Sequence, residues 1–180
     1  MKKVKKEKKD GSELSWFITI FVLAFVLSII FSFISTAAIG KLPLLPAILV
    51  LILVVFTGIA FDIIGVAVTV GKESDFNAMA AKKIPGAKTS LNMIKNSAKV
   101  SNVCADVVGD VAGVLSGAIS ALIATKMYPS IGFDVQFIIS AMVASITIGG
   151  KAIGKGIAQR NSTKIVGFVG KVLKIFNKEK

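Results

Sequence analysis

"NVCADVVGDVAGVLSGAISALIA", residues Asn102 to Ala124, has the length and apolar character of a membrane-spanning helix, yet Asp106 and Asp110 stand four residues apart inside it. A spanning helix needs about 20 predominantly apolar residues. Three other stretches meet that need. Residues 16–39 read "WFITIFVLAFVLSIIFSFISTAAI", residues 44–70 "LLPAILVLILVVFTGIAFDIIGVAVTV" and residues 135–152 "VQFIISAMVASITIGGKA". Pro46 suits the first turn of the second stretch. The expected fold is therefore an all-α integral membrane protein with four transmembrane helices, a helical hairpin and a C-terminal amphipathic interfacial helix. Residues 16–39 are read as a retained span, because an apolar run of 24 residues exceeds a signal-peptide core of about 7–15.

Composition agrees. Of 180 residues, 54% are hydrophobic, and they come in long blocks, unlike the periodic apolar residues of a soluble domain. The net charge of +12 would suggest nucleic acid, but its distribution points to a bilayer. Lysines and arginines number six in the N-terminal tail, six in 71–99 and eight from Lys151 onward, against one each in the other two connections, Lys41 and Lys126. That is a positive-inside pattern with an even number of spans. It implies a multi-pass protein of the cell membrane with both termini cytoplasmic, in contact with anionic lipids, and not a nucleic-acid binder. The sequence has no histidine, no nucleophile beside a base and no phosphate loop: "GGKAIGKG" lacks the strand–loop–helix setting. An enzyme is not expected. Cys104 is the only cysteine, so no internal disulfide forms, and it is read as a packing residue.

The organisation follows from these blocks. Residues 1–15 are a basic cytoplasmic tail, expected to be disordered. Residues 72–99 form a cytoplasmic hairpin, its first helix capped by Ser74 or Asp75, a turn at Pro85-Gly86 and a second helix over 87–96. Its lysines are expected to face lipid phosphates at the interface. In the tail, Ile165, Phe168, Val169, Val172, Leu173 and Phe176 recur at helical spacing with Lys164, Lys171 and Lys174 mostly opposite, which describes a basic amphipathic helix.

A polar seam runs through the apolar blocks. Gly109, Gly113 and Gly117 form a small-residue ridge that admits a neighbouring helix. Asn102, Asp106 and Asp110 form a second row about 100° round the same helix. Counted at about 1.5 Å per residue, Asp62 reaches similar depth from the second span, and Lys151 and Lys155 lie in the same half of the fourth. An ionisable group in the membrane costs at least about 2.5–3.5 kcal/mol on insertion scales, so these groups need partners. Two readings stay open. The aspartates line a cation site suited to hard ions such as magnesium, or aspartates and lysines neutralise one another and set helix register.

The order of these features resembles the transmembrane domain of the cyclin M and CorB/CorC family of magnesium transporters, from about residue 50 to 176. "AFDIIGVAV" is similar to that family's first motif, with Asp62 where the family has serine. "VVGDVAG" is similar to its second, with Gly109 kept and Asp110 in place of an asparagine. "GKAIGK" is similar to its third, with Gly150 and Lys155 kept, Gly154 for proline and Lys151 for the acidic residue. The resemblance implies a core over 44–176 with an added span at 16–39, a homodimer, and transport of Mg2+ by alternating access, with no other cofactor. It implies metal ligands at Asp62 and Asp110 supported by Asp106, and Lys151 as a tuning charge. It equally admits a transport-incompetent scaffold or regulatory subunit whose site is closed by Asp–Lys salt bridges. No counterpart of the family's CBS-pair and corrin-type regulatory domains is present in the sequence, so ATP-linked regulation is not expected.

Overall fold

The computed structural model describes residues 2–34, 37, 39–132 and 134–176. Its elements are α1 (Lys2–Ile34), α2 (Leu44–Val70), α3 (Glu73–Ala81), α4 (Ala87–Lys95), α5 (Ser97–Ser101), a π-helical segment (Asn102–Gly109), α6 (Asp110–Ile131) and α7 (Gln136–Phe176). Among the described residues there is no strand. Three helical runs are long and apolar enough to cross a membrane: 44–70, 97–130 and 136–175. The all-α membrane character expected from the sequence is thus seen with three candidate spans. In α1 the apolar stretch Leu14–Ile30 is shorter, and the end of the expected 16–39 span includes Ser35, Thr36 and Ala38, which lie outside the described residues.

α2 is the centre of the bundle and packs against α5, the π segment, α6 and α7. Its chemistry explains why. It is apolar apart from Asp62 and two threonines, and small residues at its crossings, its own glycines on one side and those of α7 on the other, let neighbours come close. α7 runs parallel to it, Ile59 seating on Gly150 and Ile63 on Gly154, where any Cβ would collide with those isoleucines. The π segment and α6 run antiparallel to it, with Gly65 beside Ala105 of the first and Gly58 beside Ala112 of the second. α1 lies outside this core, against the π segment and α6. The Lys99 ammonium stands 5.6 Å from the Trp16 ring, and Leu27 shares a cavity wall with Val111 and Leu115. α1 therefore rises in the same direction as α6.

Two apolar clusters close the bundle at its ends. At one end Ala47, Leu51 and Val55 meet Ile119 and Ile123, and the Lys126 ammonium donates to the carbonyls of Gly40 (2.8 Å) and Leu42 (2.9 Å), tying down the α1–α2 connection. At the other end the α3–α4 hairpin folds back, and Phe76, Met93 and Ile94 pack with Ala67 and Val68 of α2 and Ala158 and Val166 of α7.

The hairpin boundaries follow the expected turn chemistry. Gly86 takes φ +81°, a left-handed conformation open to glycine, and α4 starts at the next residue. α3 departs from the reading at its start: Lys72 is the cap residue and makes no side-chain cap bond. Asp75 instead accepts from Thr163 Oγ1 at 3.0 Å, tying α3 to α7. The N-terminal tail also differs from the expected disorder, since α1 begins at Lys2. Lys and Glu are good helix formers, and a helix already nucleated by the apolar stretch extends at little cost. α7 is broken at Asn161 (φ −123°, ψ 23°), so the expected amphipathic segment is a separate helical arm after a kink. Its apolar side does not lie opposite the lysines and free for lipid as expected, because Ile165, Val166 and Val169 pack on the hairpin cluster and Phe168 is exposed on the same side as Lys164 and Lys171.

Candidate functional site

The site is built where α2 meets the π segment. Gly58, Asp62 and Gly65 fall on one side of α2 at helical spacing. The two glycines bring the backbones together: a Cβ on Gly58 would come 2.9 Å from the Ala112 Cβ, and one on Gly65 3.2 Å from the Ala105 Cβ and 3.4 Å from the Ser101 carbonyl. Asp62 is enclosed between these crossings with 6% of its surface exposed. Its Oδ2 is buried and has no hydrogen-bond partner. A buried acceptor left without a donor costs about 1–3 kcal/mol, and a charged one more.

The facing chain is wound as a π helix over eight residues, Asn102–Gly109. Such segments are rare, and short π-bulges within α-helices occur frequently at functional sites. Here the winding goes with the packing. Ala105, Gly109 and Ala112 are the residues turned toward α2, and Gly109 comes close enough that its Cβ would lie 3.6 Å from the Gly58 carbonyl and 3.6 Å from the Lys151 Nζ.

The remaining expected site residues are spread around this crossing. Asp110 and Lys151 are brought together, Lys151 Nζ donating to Asp110 Oδ1 at 3.4 Å, with the Asp110 side chain 72% exposed and the Lys151 side chain 21%. Asp106 is exposed, as is Lys155, which makes no ion pair among the described residues. No group of three or more His, Cys, Asp or Glu side chains converges to hold a metal ion among the described residues. Asp62 thus stands apart from Asp106 and Asp110, with only the depth match as expected. Of the glycine ridge, Gly109 makes the close approach, while Gly113 and Gly117 would meet nothing within 4 Å of an added Cβ.

Those two glycines instead edge a cavity of about 230 Å³ between α6 and α7, which Ser116, Ser140 and Thr147 also line. Two of these hydroxyls bond their own helix: Ser116 Oγ donates to the Gly113 carbonyl (2.8 Å) and Thr147 Oγ1 to the Val143 carbonyl (2.7 Å). The cavity begins one turn from Asp110 and from Lys151. It is small, and it is more polar than the two larger cavities elsewhere in the bundle, which are apolar.

Three residues of the crossing, Gly58, Gly65 and Ala105, were not singled out from the sequence. The signal was there for the first two: with Asp62 they make a small–acid–small row inside an otherwise bulky apolar helix. The π winding has no comparable mark in the residues. Comparison of the chain with protein-family models, with curated proteins and with solved structures finds no match.

Proposed function

We propose that this protein is a membrane-embedded transporter core for a divalent cation of the magnesium type, resembling the CorB/CorC transmembrane domain, with Asp62 as the carboxylate that contacts the ion. The observation that carries this reading is the enclosed Asp62 Oδ2 without a donor. A passing cation satisfies that oxygen, and Mg2+ is a hard ion that binds through one or two carboxylates while keeping several waters. A lone carboxylate therefore suffices where a dehydrated site would need more. The α6–α7 cavity supports an aqueous approach past Asp110 and Lys151, which act as charges on the path. The proposal includes four spans, both termini and the hairpin in the cytoplasm, and a homodimer.

The test is magnesium uptake by a magnesium-requiring cell strain expressing the chain beside Asp62→Ala and Asp110→Ala. Growth rescue abolished by Asp62→Ala and only weakened by Asp110→Ala is the expected result. No rescue by the unmodified chain, at normal expression, rejects the reading.

A second reading is favoured by the Lys151–Asp110 pair: a transport-incompetent scaffold or regulatory subunit in which the lysine holds the place of the ion. Lys151→Glu separates the two. A closed site gains magnesium binding when the acidic residue is introduced, whereas an open path changes only in affinity or selectivity.

A further inference from the structure

The geometry points to the arm after the Asn161 kink, and not the α3–α4 hairpin, as the surface that docks on the anionic face of the bilayer. The kink lies about where α2 ends: Ile63 of α2 is level with Gly154 of α7, and the two helices run parallel, so Val70 and Asn161 lie seven residues further on in each. The arm therefore starts at the level where α2 ends.

Its two sides have opposite fates. Val166 and Gly170 face the hairpin. Val166 is fully buried, its carbonyl accepts from Ser90 Oγ at 3.0 Å, and Gly170 lies so close to Ser90 and Gly86 that a Cβ there would collide with the Ser90 hydroxyl. On the other side Lys164, Phe168, Lys171 and Ile175 are spaced four, three and four apart, a single stripe of a helix. Phe168 is 68% and Ile175 78% exposed. Apolar and cationic groups alternate along that stripe.

The hairpin offers nothing of the kind. Between Val70 and Val103 no large hydrophobic side chain is exposed, because Phe76, Met79, Leu91, Met93 and Ile94 are turned inward against α2 and α7. Lysines on a surface without apolar groups are drawn to anionic headgroups but bring nothing to insert below them. Lysines that flank an exposed Phe and Ile match the headgroup–acyl boundary, where apolar side chains enter about 5–10 Å and lysine stems lie along them with their ammonium groups outward. The lysines make the preferred lipid anionic, each worth about fivefold in the ratio of docked to free arm.

The test places a tryptophan on each surface of the full chain, in a Trp16→Phe background that removes the only native one. Phe168→Trp reports the arm and Lys88→Trp the hairpin. Both are reconstituted in vesicles of phosphatidylcholine alone or mixed with phosphatidylglycerol, with brominated acyl chains or aqueous iodide as quencher. The expected result is that Phe168→Trp is quenched by bromolipid, more in anionic than in neutral vesicles, and that the difference disappears in high salt or with Lys164, Lys171 and Lys174 all changed to Gln. Lys88→Trp is quenched by iodide only. Iodide quenching of Phe168→Trp overturns the proposal, and so does protection from both quenchers, which means that a protein surface covers the stripe. Equal bromolipid quenching in neutral and anionic vesicles overturns the choice of an anionic surface.

Discussion

Asp62 and Asp110 bring the same carboxylate to the same depth of the bundle and meet opposite surroundings. Asp62 is enclosed with an unpartnered oxygen, whereas Asp110 is exposed and paired with Lys151. The consequences for stability have opposite sign. Asp62→Leu removes a buried polar group that no protein donor satisfies, so the folded protein loses nothing it uses. Thermal unfolding in detergent is expected to show an unchanged or higher midpoint for Asp62→Leu, while uptake is lost. A lower midpoint by several degrees means that the carboxylate has a structural partner. Asp110→Ala breaks a long, exposed ion pair, and exposed pairs contribute about 0.2–1 kcal/mol. Its stability change is expected to stay within that range, and the exchanged variant Asp110→Lys with Lys151→Asp should restore whatever the single changes lose. Failure of the exchange assigns Asp110 a role other than pairing. The sequence made all three aspartates candidates, because each is costly in an apolar span. It did not say which would be enclosed. That depends on which row of the third span faces α2, and the close approach of Gly58 and Gly65 turns the Ala105–Gly109–Ala112 row inward and leaves Asp106 and Asp110 outside.

At the scale of elements, glycine spacing is informative only where another backbone arrives. Gly170 and Gly117 are each a glycine inside a helix, yet a Cβ on Gly170 would also stand 2.7 Å from the Gly86 carbonyl and a Cβ on Gly117 would meet nothing within 4 Å. Gly170→Ala is expected to loosen the hairpin from α7 at a cost of about 1–3 kcal/mol, read as faster amide exchange across α3 and α4. Gly117→Ala is expected to stabilise α6 by about 0.5–1 kcal/mol, the usual gain on replacing a mid-helix glycine. Equal effects of the two would mean that the hairpin is not docked as described. The hairpin was legible because its signals are local: Pro85-Gly86 marks the turn and the flanking apolar residues mark two short helices. The kink at Asn161 and the π winding of Asn102–Gly109 were not, since neither follows from a proline or a glycine pair. They answer to contacts with residues some 40 or more positions away, the π segment to α2 and the arm to α3 and α4.

Across the whole molecule, the helix directions sort the charges. α1 and α6 run one way, α2 and α7 the other, so Trp16 lies beside Lys99 at the hairpin end while Lys126 reaches the α1–α2 connection at the opposite end. The charge count along the sequence led to the expectation of an even number of crossings with both termini on one side. It could not establish that α1 crosses: Leu14–Ile30 at 1.5 Å per residue covers about 26 Å of a hydrocarbon core of about 30 Å. α1 lies parallel to α6 and lines two cavities with it, and a small mismatch costs only fractions of a kcal/mol per Å, so a crossing by α1 is what the proposed four-span topology expects. Single cysteines in a Cys104→Ser background decide the matter with a membrane-impermeant maleimide applied to intact cells. Lys41→Cys is expected to react, and Lys88→Cys and Ser12→Cys to react only after the membrane is opened. Reaction of Ser12→Cys in intact cells, with Lys88→Cys protected, would place the N-terminus outside and reduce the protein to three spans. Reaction of Lys88→Cys would invert the bundle and put the basic end, its docking arm included, on the face of the membrane that the positive-inside rule disfavours.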